Sequence, residues 1–195
     1  DEFIDRGIVI SLNYVVERFL KELEDDEVKK EKLKETIYIL VKELNERFNR
    51  TPGRSEIMKL MYVIDRFHKK KHGRTLTGVE WKYGHFGVYS EEVMNKIFEL
   101  EEEGYLKDYY ILTEDNEKHN YTINKEMKID SIKKKEMLII KSVVDSFGNL
   151  SYRDILTITD RMVSESKKKV GEVLFEKEES ENILINLGED VKCRR

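Results

Sequence analysis

Between Glu27 and Asn49, apolar residues recur at Leu33, Ile37, Leu40, Leu44 and Phe48, in steps of four, three, four and four. That spacing is one face of an amphipathic α-helix. Thr51-Pro52-Gly53, holding the only proline in the chain, stops it. The same period recurs on both sides. Residues 8–24 carry Ile10, Tyr14, Phe19 and Leu23, and Asp25-Asp26 is expected to break that helix and cap the next. From Ser55 the stripe is Ile57, Leu60, Met61, Ile64, Phe67 and His68, ending at Gly73. Ser90 is expected to cap a helix with Val93, Met94, Ile97, Phe98 and Leu100 inward and Glu91 and Glu92 in its first turn. Further helices are predicted over about 131–147 (Ile132, Met137, Ile140, Val144, Phe147) and, capped by Ser151, over about 152–166.

Two stretches read differently. Leu76, Val79, Trp81 and Tyr83, with Gly78 and Gly84, suggest short strands or an extended loop. After Gly104-Tyr105-Leu106, the run Tyr109–Leu112, the six polar residues Glu114–His119, then Tyr121 and Ile123 form a β-hairpin signal. The last thirty residues, with Val170, Val173, Leu174, Phe175 and Ile183-Leu184-Ile185, read as a strand pair or a terminal helix. The expected fold class is therefore mainly α with a small β component: a helical domain with a winged-helix-like helix plus β-hairpin.

Composition narrows the function classes. Charged residues make up 39% of the 195, against about 25% in an ordinary soluble protein. Neither Ala nor Gln occurs. Enrichment in Lys and Glu without Gln is the bias of hyperthermophile proteins, and AT-rich coding favours the same residues. The longest apolar run, Ile37–Val41, is far short of the roughly 20 residues that span a bilayer. No membrane association is expected, nothing reads as a signal peptide, and a cytoplasmic location is expected. The single cysteine, Cys193, allows no intramolecular disulfide. A net charge of −4 gives no global attraction to nucleic acid.

Catalytic constellations are not found. There is no Gly-x-Ser-x-Gly and no phosphate-cradling loop, since Gly84-His85-Phe86-Gly87 has too few glycines. His68 and His72, four apart on one helix, could face one ion, with Asp65 and His85 as further donors. Lys69, Lys70 and Lys71 between them oppose a cation, so no metal, cofactor or catalytic residue is assigned. A helix followed by Gly-Tyr-Leu and a polar-tipped hairpin is the outline of a winged-helix module. In that module the helix before the wing would read DNA. Here it carries Glu91, Glu92, Glu99, Glu101, Glu102 and Glu103 against Lys96, which opposes the phosphates that supply most binding energy. The basic residues Arg66, Lys69, Lys70, Lys71 and Arg74 could touch phosphates, touch an acidic protein, or be a solvated helix end. Trp81, Tyr83, His85, Phe86 and Tyr89 crowd into a glycine-punctuated segment. Such aromatics either anchor an interface or pack as core, and Trp81 suits the core better.

The stretch Glu56–Leu106 contains Lys59, Leu60, Tyr62 and Asp65 in a Lys-Leu-x-Tyr-x-x-Asp helix, then His68, Gly73 and Thr77-Gly78. The aromatic segment follows, then a helix and the Leu100-x-x-x-Gly104 turn. Later comes Phe147-Gly148-Asn149-Leu150-Ser151 before the last helix. This pattern resembles the Panacea domain, the SocA-like or GepA-like antitoxin family, over about residues 50–160. The chain differs in having Gly84-His85-Phe86-Gly87 where that family has Gly-Pro, and Thr159-Asp160-Arg161-Met162 where it has a terminal His and Trp. Three segments follow: an N-terminal helical extension at 1–49, a Panacea-like domain at 50–166 and a C-terminal tail at 167–195.

The resemblance implies a non-catalytic protein-binding module, antitoxin-like or adaptor-like, that acts on a partner such as a toxin. The expected surface lies around Tyr62, Asp65, Arg66, Trp81, His85, Phe86 and Tyr89. Asp65 and Arg66 would supply orienting hydrogen bonds and charge, and the aromatics buried area. The competing expectation is a winged-helix DNA or RNA regulator using Lys69, Lys70, Lys71 and Arg74 with the wing at Glu114–His119. An enzyme with a His68/His72 metal centre is the weakest reading. A homodimer through the stripe at 27–49 is compatible with either of the first two.

Overall fold

The computed structural model of the chain describes residues 2–112 and 117–176. Helix α1 runs unbroken over Glu2–Phe48. The break expected at Asp25-Asp26 is absent. From Ile8 to Phe48 there is neither Gly nor Pro, and two Asp residues cost a helix only about 0.7 kcal/mol each at most. Propagation through them outweighs a second nucleation, and Glu27 pairs with Lys30 at 2.7 Å just beyond. At 47 residues the helix is about 70 Å long. Its two halves differ. Val16, Phe19, Leu20 and Leu23 face solvent, whereas Leu33, Ile37, Leu40, Val41 and Leu44 are buried.

Helix α2 (Arg54–His72) is the centre of the molecule. Every residue from Glu56 to Asp65 is buried, because α1, α3 (Glu91–Glu102), α4 (Lys134–Phe147), α5 (Tyr152–Glu165) and strand β2 (Gly87–Tyr89) all pack on it. The single stripe read from the sequence is thus too narrow. Met58, Tyr62 and Val63 are buried as well, while Phe67, assigned inward, is 47% exposed. A helix surrounded on all sides buries its whole circumference, and periodicity cannot show that. Gly73 ends it in the left-handed region at φ 79°, its N–H donating to the Lys69 carbonyl.

Strands β1 (Trp81–Gly84) and β2 pair antiparallel across a tight turn, with Gly84 opposite Gly87. Strand β5 (Val173–Phe175) pairs antiparallel on the other edge of β1, Trp81 opposite Phe175. One strand expected in the last thirty residues is therefore present, and its partner is β1. Ile183-Leu184-Ile185 and Cys193 lie outside the described residues. Strands β3 (Leu106–Leu112) and β4 (Glu117–Ile123) form the second hairpin. They are longer than expected: Glu117, Lys118 and His119 stand in β4 rather than in the loop, because the pairing runs out to Leu112 opposite Glu117. The loop positions 113–116 lie outside the described residues.

Polar residues of α1 tie the late elements down. The buried Glu35 carboxylate accepts the N–H groups of Asp130, Ser131 and Ile132 at 2.9–3.0 Å, which fixes the approach to α4. Glu136 accepts the Lys133 N–H at 2.7 Å and Lys32 Nζ at 2.6 Å. Ser151 caps α5, accepting the Asp154 N–H. Ser90 stands at the N-cap of α3, yet its hydroxyl is buried and bonds nothing among the described residues, a correction to the capping role read from sequence. No described helix is long and apolar enough to cross a membrane.

The end of α1 leans on the end of α4. A Cβ on Gly148 would stand 2.6 Å from the Phe48 ring and 2.7 Å from the Val144 carbonyl oxygen. Gly148→Ala is expected to lower stability by about 1–3 kcal/mol through overpacking, read as an earlier urea midpoint at unchanged slope.

Candidate protein-binding site

Asp65 lies on the buried length of α2 with no exposed surface. Its carboxylate accepts four hydrogen bonds from one short segment. The donors are the N–H groups of Leu76 (2.9 Å) and Thr77 (3.0 Å), the Thr77 hydroxyl (2.5 Å) and the Trp81 indole N–H (2.8 Å). Burial pushes the Asp65 carboxyl up, and these four donors pull it back down. Three of the four are N–H groups, which can only donate, yet burial outweighs them and leaves the carboxyl raised. Gly78, at φ 73°, turns the chain there.

The indole that reaches Asp65 also packs edge-on to Tyr62, with ring centroids 5.5 Å apart. Phe175 of β5 stacks on the other side of Tyr62, again at 5.5 Å. Burial pushes the Tyr62 phenol up, with Arg66 opposing. Arg66 in turn pairs with Glu165 of α5 at 2.9 Å.

One turn before Tyr62, Lys59 is also buried, and its ammonium supports the β1–β2 turn from beneath. Nζ donates to the Phe86 carbonyl at 2.8 Å and stands 3.5 Å from that of Val88. Burial depresses the Lys59 ammonium, while Asp160 of α5 opposes the shift. Burial likewise raises the Asp160 carboxyl, against the pull of Lys59. Gly87 takes φ 91° above this pair, and a Cβ there would meet Lys59 Cε at 3.2 Å and Leu156 Cδ1 at 3.3 Å. Only glycine fits both the dihedral and the space. The turn therefore sits on a fixed base, and at its tip the Phe86 ring is 90% exposed. Tyr89 is 41% exposed, and His85 also faces solvent.

The residues read from sequence thus divide into two layers. Tyr62, Asp65 and Trp81 are fully buried and cannot themselves touch a partner. For Tyr62 and Asp65 the helical spacing hid this, whereas Trp81 lies in the core, as its sequence reading favoured. Arg66, His85, Phe86 and Tyr89 remain accessible. In the basic run, Lys70, Lys71 and Arg74 are exposed and Lys69 lies over the Phe175 ring at 5.4 Å. His68 is buried, donating from Nδ1 to the Arg74 carbonyl at 2.7 Å, with its ring 4.6 Å from that of His72. No group of three potential metal ligands exists among the described residues. Lys59, Thr77, Asp160 and Phe175 also belong to this cluster, although the sequence marks Lys59 and Thr77 only as parts of the family pattern. The available signals were a lysine inside an otherwise apolar helical run and a threonine beside the turn glycine.

These features define a mainly helical domain wrapped around one buried helix, with a small antiparallel sheet locked to that helix by a buried carboxylate. Residues 57–163, more than half of the chain, match the family model for the antitoxin SocA-like, Panacea domain, and the chain belongs to that family. The match contains Asp65, Thr77, Trp81, Phe86 and Asp160. No curated protein and no solved structure matches the chain.

Asp65→Asn keeps the shape but, whichever way the amide is flipped, turns its N–H₂ toward an N–H group that cannot accept. It is expected to cost about 2–4 kcal/mol, measured by chemical denaturation, with the near-ultraviolet dichroism of Trp81 altered before unfolding. An unchanged midpoint would show that the four bonds do not hold the fold.

Proposed function

We propose that this chain is an antitoxin-like or adaptor-like module that works by binding a partner protein, such as a toxin, directly through the β1–β2 turn. The observation that carries this reading is Phe86. A phenylalanine ring left 90% in water forgoes roughly 1.5–3 kcal/mol of burial that a partner can supply. The ring also stands on a turn fixed by Lys59 and Gly87, so little ordering entropy opposes its capture. Tyr89 and His85 widen the aromatic surface, and Arg66 borders it with charge. The family's description as antitoxin-like supports a protein as the occupant. In this reading Tyr62, Asp65 and Trp81 position the surface from below.

A DNA- or RNA-binding regulator is the second reading, favoured by the exposure of Lys70, Lys71 and Arg74 at the end of α2. Helix α3, which would have to approach the duplex, exposes Glu91 and Glu102, and that opposes it.

The test is co-expression with the toxin-like product of an adjoining reading frame. Phe86→Ser with Tyr89→Ser is expected to weaken the complex about tenfold or more while leaving the melting temperature in place, since both side chains are exposed. Undiminished binding by the double variant would remove the turn from the interface. Trp81→Ala is unsuited to this purpose, because it breaks the Asp65 cluster.

A further inference from the structure

The family match ends at residue 163, and β5 begins at Val173. Within the matched residues β1 pairs on one side only, with β2, and its other edge is open. In this chain a later segment fills that edge. Tyr83 donates its N–H to the Glu172 carbonyl at 3.0 Å and accepts the Gly171 N–H at 2.7 Å. Phe175, opposite Trp81, lays its ring on that of Tyr62.

The attachment is slight. β5 has three residues, none of them buried, and its register slips between Trp81 and Lys82. Every residue from Ser164 to Glu172 is exposed, so the approach to β5 adds no packing. Few buried contacts and exposed backbone bonds place a segment at the low end of local stability. The surface beneath is of the opposite kind, since Tyr62 and Trp81 are fully buried on the central helix. The Tyr62 hydroxyl is buried without a hydrogen bond among the described residues, and the nearby Arg66 guanidinium is taken by Glu165. A buried hydroxyl left unbonded is uncommon, and it stands on the ring that Phe175 covers. A loosely held strand over a fixed aromatic edge is the arrangement of a strand-addition site.

The main-chain groups of Tyr83 require another main chain, and the Tyr62 ring favours an aromatic at the Phe175 position. Lys69, 5.4 Å from the centre of the Phe175 ring, favours it further. The Gly171 end of β5 lies at Tyr83, next to Gly84 of the β1–β2 turn. A strand laid on this edge therefore arrives beside the turn that carries Phe86. A second copy's β5 brings no strand contact that the chain's own lacks, and it competes with a tethered strand at an effective concentration of about millimolar. We propose that the outer edge of β1, with Tyr62 beneath it, receives an extended segment of the partner protein bearing an aromatic residue, and that β5 is the chain's own stand-in, displaced on binding. This rests on reading the chain as a protein-binding module and extends its surface beyond the turn.

A synthetic peptide of residues 167–176, titrated against the full chain, tests this without any partner. Trp81, the only tryptophan, reports through its fluorescence. Phe175→Asp in the chain vacates the edge, and the peptide is expected to bind that variant with a dissociation constant of about 100 μM. It should bind the unaltered chain at least about tenfold more weakly, against the tethered competitor. The peptide carrying Phe175→Tyr should bind the variant as well, and the peptide carrying Phe175→Asp should not. No saturable binding to the variant up to about 2 mM, or equal binding to both chains, overturns the proposal. Hydrogen exchange of the unaltered chain needs no variant. The Tyr83 N–H is expected to exchange at least about 100-fold faster than the Leu60 N–H of α2, and equal protection overturns the displacement. In the co-expressed complex that exchange is expected to slow about tenfold or more, and a complex that leaves it unchanged removes the edge from the interface. A dimer of the unaltered chain that Phe175→Asp abolishes assigns the edge to a second copy instead. Neither the titration nor the exchange of the free chain involves Phe86, so failure of this edge and failure of the turn are read separately.

Discussion

A carboxylate with no exposed surface is the interaction around which this domain is arranged. Leaving Asp65 ionised and unpaired inside the protein would cost several kcal/mol, so every element that supplies a donor is constrained by it. All four donors come from residues 76–81. That segment can therefore leave α2 in only one way, and β1 begins where it ends. The Trp81 indole serves twice, once as donor to Asp65 and once as an edge against Tyr62. Because β1 is the middle strand, β2 and β5 inherit their positions from it. The bond network on α2 thus fixes the turn that carries Phe86, although no atom of Asp65 reaches the surface.

The same logic explains how a chain that is 39% charged builds an interior. Its buried ionic groups do not sit at random. Glu35 receives three successive backbone N–H groups before α4, Glu136 closes the start of α4 with Lys32, Glu56 meets Arg50 at the start of α2, and Lys59 meets carbonyls at the β1–β2 turn. Glu35, Glu136 and Lys59 each join a helix to a segment distant in sequence, and Glu35 and Lys59 do so through backbone groups that would otherwise lack partners. Apolar packing supplies most of the stability, and these joints select one arrangement of the packed helices.

Helix positions, the hairpin after Gly104 and the stop at Pro52 were legible in the sequence because apolar spacing and turn residues are local signals. The continuity of α1 was not, since two Asp residues are strong caps in isolation but weak breakers within a long helix. The division of the site into layers was also hidden. Tyr62, Asp65 and Arg66 are neighbours along the chain, and nothing local distinguishes a helix buried on all sides from one buried on a single face. The decisive fact, that α5 and β5 close over the far side of α2, rests on contacts a hundred residues apart. Arg66 with Glu165 and Tyr62 with Phe175 are such contacts. Sequence spacing carries no information about them, whereas the family pattern does, because it records the helix, the turn and the late helix together.

The β1–β2 turn shows how this chain departs from its family without losing function of the fold. Where the resemblance leads one to expect Gly-Pro, it has Gly84-His85-Phe86-Gly87. Proline stiffens a turn by fixing φ and needs no partner. Here the stiffness comes instead from the Lys59 bond to the Phe86 carbonyl and from Gly87, whose φ of 91° no other residue adopts without strain. Removing proline frees the position for a large side chain, and the position is filled by an aromatic. A lysine buried to hold one carbonyl is a costly device for a surface turn. It fixes where the exposed ring stands, which is what the interface anchor proposed above would need.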